Sequence, residues 1–142
     1  MPRIERSATV AWEGTVARGQ GAITADSGAF SALPYTLASR IGDPEGKTSP
    51  EELLAAATAG CFTTSVGSEL ARDGSPPERL EVHCKIVMDE VAGEGHQIVG
   101  AELIVGVEGA ALSDATLERA EQGCPFTTLL RKAGATVTVS RA

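Results

Sequence analysis

A chain of 142 residues that is 42% hydrophobic fits a single domain over residues 1–142, large enough for a real core and small enough that dimerisation would help it. Its formal charge of -7, with 12 basic against 19 acidic residues, and the lack of any Lys/Arg run remove the counterion release that drives nucleic-acid binding and argue against DNA or RNA as partners. The opening Met1-Pro2-Arg3-Ile4-Glu5-Arg6 has no apolar signal core, no stretch approaches the roughly 20 apolar residues of a membrane span, and three cysteines suit reduced thiols better than a secreted disulfide scaffold, so a cytoplasmic protein without a membrane partner is expected.

The elements follow in chain order. Ser7 to Trp12 alternates, and Ala22 to Ala25 continues after the turn signal Gly19-Gln20-Gly21, which predicts an N-terminal hairpin. Residues 26–47 hold Gly28, Pro34, Gly42, Pro44 and Gly46 and read as a loop, long enough to suggest a functional or subunit-crossing segment. Ser49 reads as an N-cap, with Pro50 at the first helical position and Glu52 completing a capping box. A helix of about 22 residues then runs to Arg72 or Asp73, where Gly74 stops it. Leu54, Ala57, Cys61, Ser65 and Glu69 fall near one face, while Leu53, Ala56, Gly60 and Gly67 keep another thin enough for close helix packing.

Beyond Pro76-Pro77, Leu80 to Asp89 alternates as a half-buried strand with Cys84 on its apolar face. Gly93-Glu94-Gly95 turns the chain into a second strand, Ile98 to Val107. Ser113 caps a helix that pauses at Gly123, restarts at Pro125 and ends at Gly134, and Ala135 to Ser140 closes the chain as a β-branched strand. Without regular βαβ alternation, this order predicts the α+β class, an antiparallel-rich sheet on central helices.

Two of the cysteines stand where thiol chemistry is expected. A thiol becomes a nucleophile near neutral pH only beside a positive charge or a helix N-terminus. Cys124, directly before Pro125, takes the cap position of a helix, where free N–H groups and the dipole favour an anion. Cys61 lies in mid-helix without that help and needs a cation, for which Arg18 and Arg40 are the candidates. Each cysteine taken alone also suits a small buried hydrophobe, and Cys84 is assigned that role. Glu52 is accounted for by the capping box; Glu51 is either a helix-start charge or the carboxylate that orients the activating arginine. Ten residues separate Glu51 from Cys61, hence ~15 Å along a helix axis and roughly 80° around it. Unless the helix breaks, Glu51 serves the Cys61 of another subunit, which favours a two-fold dimer with shared sites.

Thr48 to Leu53 followed by Ala59-Gly60-Cys61-Phe62, together with Ala120-Glu121-Gln122-Gly123-Cys124-Pro125, resembles the two cysteine segments of the OsmC/Ohr family of thiol-dependent hydroperoxide reductases. Ala11-Trp12-Glu13-Gly14, Arg18-Gly19 and Thr24 to Gly28 are similar to the OsmC branch. The Gly-Gly-Arg signature of the Ohr branch is absent, and Thr58 stands where members often carry His or Tyr. The resemblance implies an intertwined homodimer, with sheets wrapped around central helices and active sites at the subunit interface. It implies Cys61 as the peroxidatic cysteine, Cys124 as the resolving one, and Glu51 as the partner of a catalytic arginine, Arg40 with Arg18 as the alternative. The substrate would be an organic hydroperoxide, with hydrogen peroxide as a second candidate, and no metal or organic cofactor would be needed beyond an external dithiol reductant such as a lipoyl protein. Phe62, Phe126, Leu129 and Leu130 could line an apolar approach to the sulfur, or serve in the core.

Two rival functions use the same residues differently. A redox sensor or binding protein would form the Cys61–Cys124 disulfide without efficient turnover. A metal protein would draw on His83, Cys84, His96 and the other cysteines. That is disfavoured because adjacent strand residues point to opposite faces and no Cys-x-x-Cys or His-x-x-x-His spacing occurs.

Overall fold

Alternation in the first 25 residues produces an antiparallel hairpin, β1 (Ala8–Glu13) and β2 (Gln20–Ala25), paired from Ala8 with Ala25 to Glu13 with Gln20 in the computed structural model, which describes residues 2–142. The reversal lies between the strands, from Gly14 at φ +90° to Gly19, whose N–H donates to the Thr15 carbonyl at 2.6 Å. Gln20 and Gly21 are therefore already strand, so the turn lies earlier in the chain than the Gly19-Gln20-Gly21 signal suggested. Gly21 is required there: a Cβ on it would come within 2.3 Å of the Tyr35 ring. Trp12 and Tyr35 meet edge to face over this position, their ring centroids 5.4 Å apart.

The segment expected as a long loop instead carries two elements. β3 (Leu33–Tyr35) pairs antiparallel with β2, and α1 (Leu37–Ile41) follows. Pro34 is tolerated because β3 is an edge strand of the three-stranded sheet β1-β2-β3. The helix start was written in Thr36-x-x-Ser39: the Thr36 hydroxyl accepts from the Ser39 N–H, and the Ser39 hydroxyl accepts from the Thr36 N–H. These elements belong to the first of two compact units, which ends at Pro50; the second runs from Glu51 to Ala142.

In the second unit, α2 (Pro50–Arg72) is continuous. β4 (Arg79–Val91) and β5 (Gly95–Glu108) form a long antiparallel hairpin with an irregularity at Val87/Met88, and β6 (Thr136–Arg141) adds parallel to β5, in the order β4-β5-β6. α3 (Asp114–Gly123) and α4 (Pro125–Lys132) lie between β5 and β6 in sequence. The architecture is the α+β class with antiparallel-rich sheets. Ala101, Leu103 and Val105 of β5 are buried, whereas Glu102 and Ile104 between them are exposed, the period-two pattern of a sheet with one covered face. Ser113 caps α3 by accepting from the Thr116 N–H.

The buried stripe of α2 is Thr58, Phe62, Val66, Glu69 and Leu70. It is rotated by about one residue from the stripe through Cys61 and Ser65, because Phe62, Val66 and Leu70 bring the larger apolar surfaces, each worth roughly 1.5–3 kcal/mol when buried. Glu69 tolerates burial through ion pairs with Arg72 and Arg119, each at 3.1 Å. Thr58 satisfies its hydroxyl on the Leu54 carbonyl at 2.8 Å. Among the described residues, no helix is long and apolar enough to cross a membrane.

Candidate active site

Cys124 owes its position to an interrupted helix. Pro125 has no N–H and restricts the residue before it, so α3 ends at Gly123. Cys124 adopts an extended backbone, φ -91° and ψ 112°, serving as C-cap of α3 and N-cap of α4. Thr127, wholly buried, spans the break: its hydroxyl donates to the carbonyl of Glu121 at 2.9 Å and of Cys124 at 3.1 Å. The Ser65 hydroxyl on α2 donates to the Ala120 carbonyl of α3 at 2.6 Å. Farther along, Arg119 pairs with Glu69 and Asp73, and the Thr116 hydroxyl donates to Asp73 at 2.9 Å. These contacts dock α3 on α2 over most of its length.

Docking brings the sulfurs together. Cys124 is 0% exposed within the core cluster, its thiol directed at the Cys61 sulfur 3.4 Å away. Cys61 is only partly buried. A disulfide bond is about 2.05 Å long, so roughly 1.4 Å of closure converts this contact into a bond.

Burial pushes the Cys61 thiol up from the ordinary cysteine value, the neighbouring Cys124 sulfur adds to the rise, and the backbone N–H of Phe126 opposes it. This reverses part of the expectation for the helix N-terminus. The first turn of α4 acts on Cys61, the mid-helix sulfur expected to lack such help, while the Cys124 side chain makes no capping hydrogen bond. The signal was present in sequence, since a proline at the first helical position leaves the next N–H unused by the helix. The hydroxyls of Ser65 and Thr127 left no comparable signal, because their partners depend on tertiary docking.

The other candidates fall as follows. Glu51 stands in the first turn of α2, and since that helix is unbroken, the alternative that a break brings Glu51 to its own Cys61 is removed. Arg40 is in the last turn of α1, where with Trp12, Val16, Tyr35 and Leu37 it lines a cleft of about 180 Å³ in the N-terminal unit. Arg18 is exposed in the β1–β2 turn, its N–H on the Thr15 hydroxyl. Phe62 at 0% and Leu130 at 5% exposure are core residues, whereas Phe126 at 36% and Leu129 at 62% present apolar surface on α4. Cys84 packs half-buried against the core, and His83 beside it is exposed on the opposite face of β4.

A partly accessible thiol on α2 touching a buried one in the braced break between α3 and α4 is placed for a dithiol–disulfide interchange. Known proteins show the same framework. Residues 42–140 match the family described as OsmC-like protein. The chain is 30% identical over 131 residues to Peroxiredoxin OsmC of Escherichia coli (strain K12), a match covering 90% of this chain and 91% of that one. Among solved structures, it resembles the organic hydroperoxide resistance protein OsmC of Legionella pneumophila with a TM-score of 0.76 at 19% identity over 99% of each chain. It resembles the organic hydroperoxide resistance protein OhrB of Bacillus subtilis with a TM-score of 0.75 at 21% identity, over 96% of this chain and 98% of that one. At such identities the structural likeness establishes the fold.

Proposed function

The chain belongs to the OsmC-like protein family, and on that premise we propose that it is a cysteine-based peroxidase for organic hydroperoxides, with hydrogen peroxide as a second candidate substrate. The observation that carries this is the pair of sulfurs 3.4 Å apart, one buried and one partly open; the name of the Escherichia coli relative, a peroxiredoxin, supports it. The Cys61 thiolate attacks the outer peroxide oxygen, the O–O bond breaks, the alkoxide departs as alcohol after taking a proton, and Cys61 is left as a sulfenic acid. The Cys124 sulfur then attacks Cys61, water leaves, and the disulfide forms. An external dithiol returns both cysteines to thiols, so no metal or organic cofactor takes part. A cytoplasmic setting, where dithiols are maintained, suits this cycle.

Because burial raises the Cys61 thiol, the N–H of Phe126 needs a full positive charge to assist it. We assign that charge to Arg40, with Arg18 as the alternative, and its orientation to Glu51. In the unbroken α2, Glu51 stays ~15 Å along the axis from Cys61, so the proposed unit is a homodimer in which each Glu51 serves the partner's site. Phe126 and Leu129 offer the apolar approach for an alkyl peroxide, with Phe62 and Leu130 as packing behind it.

The test is consumption of an alkyl hydroperoxide and of hydrogen peroxide, side by side, with dihydrolipoamide as reductant. Sustained turnover that is faster for the alkyl substrate is expected. A disulfide that forms once and is not recycled would replace this assignment with a redox sensor using the same pair.

A further inference from the structure

We propose that Ser65 is a positioning residue for the step in which Cys124 closes on Cys61: its hydroxyl holds the end of α3 against α2 at the separation the disulfide needs. That step belongs to the peroxidase reading, on which the role rests, whereas the contact itself lies within one chain and needs no open surface. Cys61, Ser65 and Glu69 follow one another at four-residue spacing on α2 and meet, in turn, Cys124, Ala120 and Arg119. The two helices therefore run antiparallel with one contact per turn, ~6 Å apart along the axis. Arg119 reaches Glu69 through a long side chain that can follow a shift of either helix. Ser65 is short, and its Oγ binds the α3 backbone itself, the Ala120 carbonyl, at 2.6 Å.

The Ala120 carbonyl is available to Ser65 because the helix breaks. The Cys124 N–H, which would bond that carbonyl in a continuing helix, donates instead to the Glu121 carbonyl at 3.3 Å. Ala120 is 0% exposed, so water cannot replace the hydroxyl while α3 is docked. A Cβ built on Gly123 would stand 3.7 Å from the Ser65 Oγ, which puts the hydroxyl against the residue just before Cys124 as well. Without the hydroxyl, the carbonyl is unpaired whenever the two sulfurs face each other and finds water only when the end of α3 moves away. The aligned arrangement then loses population, and closure falls in the same proportion. In closure, Cys124 Sγ bonds to Cys61 Sγ, the S–OH bond of the sulfenic acid breaks, and the departing hydroxide takes the Cys124 proton and leaves as water.

The experiment measures closure without peroxide. Protein is equilibrated in buffers of reduced and oxidised dithiothreitol, quenched with acid, capped with N-ethylmaleimide and mapped by mass spectrometry for the Cys61–Cys124 disulfide. Ser65→Ala should lower the closure constant about fivefold, the weight of an ordinary hydrogen bond. Ser65→Val should fall below Ser65→Thr by a similar factor, since these two differ only in a methyl exchanged for the hydroxyl, and this pair decides alone if the alanine variant fails to fold. Arg119→Ala, which loosens the same helix pair about two turns away, should stay within about twofold of the wild type despite its lower stability. With an alkyl hydroperoxide, Ser65→Ala should also accumulate more Cys61 sulfinic acid per turnover than the wild type. Equal constants with and without the hydroxyl, an equal loss in Arg119→Ala, unchanged over-oxidation in Ser65→Ala, or absence of the disulfide in wild-type protein would overturn the role. A wild type that closes, with the hydroxyl dependence intact, yet consumes no peroxide would count against the peroxidase reading alone.

Discussion

Replacing Cys61 by Ser removes the one partly open sulfur of the pair, so Cys61→Ser should abolish peroxide consumption from the first turnover. Cys124→Ser should allow one turnover and then accumulate sulfinic acid at Cys61, since the sulfur that protects the sulfenic acid is gone. Stopped-flow peroxide consumption with intact-mass analysis separates the two, and equal loss of the first turnover in both would contradict these roles. Cys84→Ala should keep nearly full activity, because Cys84 packs against the core from β4. The pH dependence of Cys61 alkylation tests the arginine. Burial raises the thiol above its ordinary value, which is about 8.5 for free cysteine, and a raised thiol yields less thiolate at neutral pH. If Arg40 supplies the activating charge, the midpoint of iodoacetamide reaction in Arg40→Ala should lie at higher pH than in the wild type. Coincident curves would remove Arg40 and transfer the test to Arg18→Ala.

At the scale of elements, the break between α3 and α4 does what neither helix does alone: it places the Cys124 sulfur in the core and sets the first turn of α4, whose Phe126 backbone opposes the rise of the Cys61 thiol, beside the other sulfur. Thr127 braces it through two carbonyls that also accept from backbone, Glu121 from the Cys124 N–H and Cys124 from the Thr128 N–H. Thr127→Val should therefore cost only about 1 kcal/mol in urea denaturation, as expected for a hydrogen bond lost without a cavity, and Thr127→Ser should recover most of it. An unchanged midpoint for the valine variant would show that the break holds without the hydroxyl. Arg119→Ala should lower the midpoint further, because it strips a partner from the buried carboxylate of Glu69 and frees Asp73.

For the whole molecule, the continuity of α2 has a consequence that subunit mixing can measure. If Glu51 of one subunit supports Cys61 of its partner, heterodimers of Glu51→Ala and Cys61→Ser contain one site with both residues intact and one with both damaged. Co-refolded mixtures should regain about half the wild-type activity per heterodimer, by counting sites under two-fold symmetry. Native mass spectrometry establishes that heterodimers are present. Their inactivity would return Glu51 to the role of a helix-start charge and would also speak against the shared-site dimer.

Local chemistry by itself determined the elements whose signals lie within a few residues of one another: the 23-residue α2, the β4–β5 hairpin turning at Gly93 to Gly95, the Ser113 cap, and the restart at Pro125. It also singled out Cys61 and Cys124 for thiol chemistry, while their roles as a pair came from the family resemblance. It misjudged residues 26–47, where glycines and prolines concealed a Thr36-x-x-Ser39 cap and an edge strand that forms only because β2 supplies its hydrogen bonds. Tertiary structure alone decided which sulfur is shielded, which residues of α2 face inward, and which N–H meets Cys61. Those outcomes depend on partners distant in the chain, 63 residues apart for the two sulfurs and 50 for Arg119 with Glu69. Periodicity reports that a helix has an apolar face, but the docking of α3 on α2 selects the residue at its centre.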